Sequence, residues 1–257
     1  MRQVAWLALS VLVLVAVAAV VVLQRPVRAA EVQRQHTLVS AGLVLFPLLA
    51  GGAGFAAALS YRPKDRERAV WTSLGAACVL WGTGRAVFWY EQAVGQAPSF
   101  PSAAELLTAG FFVLGLWAVY QEYRAVRELV GPAQRAAIVA VVLATLVAGY
   151  ALFLRPVVTA APWGLKEGTS LALSVAGLAM IPLATAPVLA FLGGLEGYVW
   201  GLISASLICI SVAVMWYSNA VFFDTWFAGH RSNLLQMVGF ALLAMGSFWH
   251  RALMREG

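Results

Sequence analysis

A chain of 257 residues that is 62% hydrophobic and only 11% charged is far from the balance of a soluble domain. Its net charge of +6 is scattered over the ends of apolar runs rather than gathered into one basic stretch, which argues against a nucleic-acid partner. Two cysteines exclude a disulfide framework, and no stretch between the apolar runs is long enough to fold as a soluble catalytic domain.

Runs of about twenty apolar residues recur along the whole chain, each long enough to cross ~30 Å of hydrocarbon. Backbone polar groups must pair internally in lipid, so these runs are expected to be helices. They fall at 4–23, 38–60, 70–89, 104–120, 136–154, 169–192, 198–222 and 234–250. The expected fold is all-α, a polytopic membrane bundle of eight transmembrane helices. Residues 1–30 form an N-terminal anchor, 38–250 a seven-helix core and 251–257 a short cytoplasmic tail. The first run, opened by Met1-Arg2-Gln3 and closed near Val27-Arg28-Ala29, resembles a signal sequence. It is longer than a usual signal core, which favours a retained, uncleaved span. Pro47 in the second run and Pro182 and Pro187 in the sixth predict kinks. Cys78 and Cys209 lie inside runs and read as small apolar fillers.

Basic residues alternate between the connections. Arg2, Arg62, Lys64, Arg66, Arg68, Arg124, Arg127, Arg135, Arg251 and Arg255 fall on one side, and the smaller set of Arg25, Arg28, Arg34, Arg155, Lys166 and Arg231 on the other. The positive-inside rule then places both termini in the cytoplasm.

Arg85 is the single basic residue inside a run, and a guanidinium in lipid costs roughly 2.5–3.5 kcal/mol on insertion scales. It must either snorkel to the interface or face a partner or wet cavity. Glu91, Glu105 and Asp224 are the carboxylates expected at its depth. Ser102 and Glu105 have capping-box spacing, which by itself could explain Glu105. Asp224 closes the seventh run, where the helix dipole opposes it, so a compensating cation such as Arg85 or Arg231 is expected. Aromatics crowd the same end, among them Phe88, Trp89, Tyr90, Trp216, Tyr217, Phe222, Phe223, Trp226 and Phe227. An interfacial belt accounts for most of them, and the alternative is the lining of an apolar pocket. The candidate ligand-binding residues are therefore Arg85, Glu105, Asp224, Trp89, Tyr90 and Tyr217.

His36, His230 and His250 all fall at run edges, without haem or zinc spacing, and are expected to be solvated. An outer set of His36, His230 and Asp224 is the only metal alternative and is not favoured. No nucleophile and base are spaced for catalysis, so no catalytic residue is assigned and the chain is not expected to be an enzyme.

Several of these residues carry a resemblance. Arg68 and Trp71, then Trp81-Gly82, the edge segment Phe88-Trp89-Tyr90-Glu91-Gln92, and Pro101-Ser102 followed by Ala104-Glu105 resemble a multi-helix bacterial membrane sensor module. Such modules precede diguanylate cyclase, phosphodiesterase or histidine kinase domains, and the similarity spans roughly 38–250. It implies a seven-span sensor core in the bacterial inner membrane that signals to the cytoplasm. Glu105 stands where the family motif carries Asp, and Arg85 stands at an acidic position, so the family's ligand chemistry does not transfer. No output domain follows in this sequence, which implies signalling through a partner. The competing expectations are a non-catalytic membrane subunit that binds a pigment or quinone among its aromatics, and a small transporter. The residues assign no cofactor.

Overall fold

The computed structural model describes residues 15, 19, 23, 29–95, 102–159, 164–191, 194–227 and 229–256. The expected first span, 4–23, lies outside these but for isolated positions, as does Pro101.

Within the described residues the chain is all-α, with no strand. Seven long helices follow one another: α1 (Ala29–Ala58), α2 (Arg66–Ala93), α3 (Ala103–Val126), α4 (Pro132–Val158), α5 (Leu165–Ala190), α6 (Leu195–Phe222) and α7 (Arg231–Glu256). All but α2 are long and apolar enough to cross a membrane, which makes this a multi-pass membrane protein in a lipid bilayer. The α2 helix falls short because it carries Arg85 and a run of small and hydroxylated residues.

The helices extend past the runs that predict them. The largest difference is α1, which starts at Ala29 rather than 38 and so carries Arg34 and His36 on a helix instead of a loop. Hydropathy marks only what lipid covers, whereas the polar stretch Glu31 to Thr37 has no breaker to stop the helix. The α7 helix likewise runs on through Arg251, so the expected tail is helical to Glu256.

Six helices close a ring in the order α1, α2, α3, α5, α6, α7 and back to α1. The α4 helix stands outside it, packed on α5 and touching α6 only through its last turns. Its apolar window is 6% buried, against 61% for α6 and α7, so the expected seven-helix core is a six-helix ring with one peripheral span. Close approach in the ring rests on glycine. A Cβ on Gly75 would sit 3.0 Å from the Gly51 carbonyl oxygen, so α1 and α2 touch backbone to backbone. Trp81, Phe111, Phe112 and Phe240 fill the ring's middle with their ring centroids 5.0–6.3 Å apart.

Pro47, Pro182 and Pro187 lie inside unbroken helices. A π-helical turn interrupts α4 over Tyr150–Leu154, just before Pro156. Beside this turn the Nδ2 of Asn219 on α6 donates to the Phe153 carbonyl at 3.0 Å, tying α4 to the ring. Both cysteines are free, as apolar fillers would be.

Candidate functional site

The end of the ring where α2 finishes and α3 begins is built around Arg85. At Gly84 a Cβ would lie 3.0 Å from the Ala104 carbonyl oxygen, so the two backbones meet here and bring Arg85 beside the first turn of α3. Ser102 caps that turn. Its hydroxyl accepts the Ala104 N–H at 3.2 Å, and its N–H and hydroxyl donate to Glu105 Oε2 at 2.7 and 2.5 Å. The capping box fixes Glu105 with its carboxylate turned to the cap, and the residue is 6% exposed.

Arg85 itself is 9% exposed. Among the described residues it makes no ion pair, and its Nε–H has no acceptor. Aromatic faces hold it instead: its guanidinium carbon lies 5.2 Å from the Phe88 ring centroid and 5.5 Å from that of Tyr217. Each such contact contributes about 0.5–2 kcal/mol. Trp226, from the α6–α7 connection, meets both rings edge-on at 5.9 and 5.8 Å and closes the cage.

Arg85 lines two small cavities. The inner one lies between α2, α3, α5, α6 and α7, and its polar lining includes Trp81, Glu105, Tyr217 and Gln236. It has about 10 Å³ of room, the space of one water. Among the described residues Trp81 Nε1–H lacks an acceptor and Gln236 Oε1 lacks a donor, so the cavity carries both kinds of unmet hydrogen-bonding group. The outer cavity, equally small, lies between α1, α2 and the α6–α7 connection, lined by His36, Ser40, Phe88, Trp89 and Trp226. The buried Trp226 Nε1–H also has no acceptor. Ser170 and Ser174 on α5 and Ser218 on α6, all buried, add further unpartnered hydroxyls toward this end of the ring.

No family model, curated protein or solved structure matches this chain.

Of the six residues singled out by sequence, three come together: Arg85, Glu105 and Tyr217 share the inner cavity. Trp89 lies on the outer one. Tyr90 turns away and is 68% exposed, as an interfacial residue would be. Asp224 does not join them. Its carboxylate is 3.2 Å from Lys166 Nζ, its side chain is 87% exposed, and neither Arg85 nor Arg231 is its partner. It lies two residues past the end of α6, in the left-handed region at φ 53°.

The histidines are less solvated than expected. His36 Nε2 lies 2.9 Å from Gln92 Oε1, joining α1 to α2, and His250 is 4% exposed on the opposite end. His230 Nδ1 is 2.7 Å from Ser232 Oγ, and burial, aided by Arg231, holds its pKa below the ordinary value. Among the described residues no three His, Cys, Asp or Glu side chains gather as a metal set, so His36, His230 and Asp224 stay apart. Sequence reasoning missed Trp81, Gln236 and Trp226 as polar members of the site. A tryptophan in an apolar run reads as bulk, and only three-dimensional packing shows that its N–H lacks a mate.

Proposed function

We propose that this protein is a receptor-like module of the bacterial inner membrane whose recognition site is centred on Arg85, with Glu105, Tyr217 and Trp89 around it. In this reading residues 4–23 add an eighth span, both termini are cytoplasmic and the Arg85 end faces outward. Binding is read out by a cytoplasmic partner rather than by catalysis. The observation that carries the reading is a buried guanidinium, held against two aromatic rings, without an ion-pair partner among the described residues, between two cavities. An unpaired charge in lipid is costly and marks function far more often than architecture. The resemblance of the 81–112 segment to bacterial sensor modules supports the same reading.

Native mass spectrometry of the purified protein tests it. A small molecule should accompany the wild type and be absent from Arg85→Gln, with thermal stability falling only for the loaded wild type when the molecule is stripped. An empty wild type, indifferent to a broad ligand panel in thermal unfolding, would remove the reading.

One observation favours the membrane-subunit alternative. The outward face of α4 presents Val139, Leu143, Leu146 and Val147, each more than half exposed, to lipid or to a neighbouring chain. Stoichiometric co-purification of another membrane protein, released by Leu143→Trp and Leu146→Trp, would favour that reading.

A further inference from the structure

The two cavities that Arg85 separates differ in chemistry, and the difference names a ligand class. The inner cavity mixes donors with the acceptors Glu105 and Gln236, so an anion there would meet a carboxylate. The outer cavity has no acidic residue in its lining. Its polar groups are the Arg85 guanidinium, the unpartnered Trp226 Nε1–H, the Ser40 hydroxyl and His36, whose Nε2 is engaged with Gln92. Glu105 forms no ion pair with Arg85, and its Oε2 accepts from the N–H and hydroxyl of Ser102 instead. Arg85 therefore presents a guanidinium that has no ion-pair partner among the described residues to a compartment with no acidic residue in its lining.

The geometry points to the outer cavity as a binding site for a compact monoanionic group, a halide or a carboxylate, taken up by Arg85 with Trp226 Nε1–H and Ser40 as directional donors. The inference rests on Arg85 being the centre of recognition, and it adds the sign and size of what is recognised. The room of about 10 Å³ admits one monatomic ion or one carboxylate oxygen. A larger molecule can enter only with its head, leaving its remainder at the aromatic rim of Trp89. Charge-assisted bonds from a guanidinium and an indole N–H are short and strong, and the ring faces of Phe88 and Tyr217 keep the guanidinium from following the anion outward.

The same carboxylate chemistry can arrive free in water or on an amphiphile, and the test separates the two. The full chain in nanodiscs of zwitterionic lipid is titrated with chloride, with acetate and with myristate at constant ionic strength, and unfolding temperature is followed. Arg85→Gln and Trp226→Phe are run alongside. Trp226→Phe keeps a ring to pack on Phe88 and Tyr217 while deleting the N–H, so it reports on binding even if Arg85→Gln unfolds. The wild type should show a saturable rise with at least one anion, weakened about tenfold in Trp226→Phe and abolished in Arg85→Gln. A response to chloride or acetate identifies a free anion, and a response to myristate alone identifies an amphiphile's carboxylate. No response to any of the three, or one that Trp226→Phe leaves unchanged, overturns the assignment. If Arg85→Gln loses a co-purifying neutral molecule while no anion stabilises the wild type, recognition at Arg85 stands and the anion falls.

Discussion

Two arginines at opposite ends of one bundle meet opposite fates. Arg66, in the first turn of α2, bonds Glu67 Oε1 at 2.8 Å and the Gln121 carbonyl at 2.8 Å, and pairs with the buried Glu122 at 3.3 Å. Arg85, near the last turns of the same helix, meets ring faces and two cavities. Around Arg66 the polar groups are matched. Tyr61 hydroxyl lies 2.5 Å from His250 Nε2, and that imidazole stacks on Trp71 at 4.7 Å. Around Arg85 they are not. A closed network ties helix ends together, whereas an open one has bonds left for something else. The difference separates an end that holds the bundle together from the end proposed to bind.

The largest effect that could break this contrast is on stability. Arg66→Ala leaves the Glu122 carboxylate buried without its cation. The loss should be about 2 kcal/mol, below the ~3–5 of a fully buried pair, because the Arg66 side chain is 36% exposed. Arg85→Gln orphans no carboxylate, and relief of desolvation offsets the lost ring contacts, so it should cost less than about 1 kcal/mol. Thermal unfolding of the two variants in one neutral detergent measures the gap. Equal losses would mean that Arg85 is as structural as Arg66.

A smaller effect sharpens the matched end. Burial, with Glu196, Glu67 and Glu122 nearby, pushes the Tyr61 hydroxyl up to about 12. The folded state thus keeps its proton where the unfolded chain, near 10, gives it up. Stability from this group is complete below pH 10 and is lost as pH rises toward 12. Tyr61→Phe should abolish that alkaline loss at a cost of about 1 kcal/mol at neutral pH, the worth of its bond to His250. A pH series of unfolding temperatures for the two proteins checks it, and parallel curves through pH 10–12 would assign the loss to another group.

How much of this could be seen in the sequence follows from what lipid does to a chain. Hydrocarbon demands long apolar helices, so the runs announced α1 and α3 to α7 directly, and the α2 run was found despite Arg85. Lipid is as apolar as leucine, so hydropathy cannot tell a ring helix from a peripheral one. Among the described helices the α4 run has the highest hydropathy, and it stands outside the ring. The site was half legible for a related reason. Arg85 is conspicuous because charge is rare in a span, and Glu105 because its capping box has fixed spacing. Asp224 had no such rule, since its partner Lys166 is 58 residues away in the first turn of α5. Nor did Arg66 and Glu122, which look like ordinary helix-end charges until α2 and α3 are laid side by side.

The smallest predicted effect concerns that misplaced carboxylate. Lys166 in the first turn of α5 and Asp224 on the α6–α7 connection pair beside the open end, so they could be mistaken for part of the Arg85 site. Their geometry says otherwise. The Asp224 side chain is 87% exposed, and an exposed pair is worth roughly 0–1 kcal/mol before salt screens it further. Its φ of 53° is also one that glycine adopts without strain and asparagine tolerates. Lys166→Ala should therefore shift stability by less than about 0.5 kcal/mol. Asp224→Gly should lose the ion pair and gain backbone ease, with a net change near zero. Neither should alter anion-dependent stabilisation, whereas Trp226→Phe, two residues along the same connection, should weaken it about tenfold. The decisive measurement is the anion titration on Asp224→Gly. If it loses the response as fully as Arg85→Gln, the connection acts as one unit and the open end extends to the surface. If it keeps the response, recognition is confined to the buried donors.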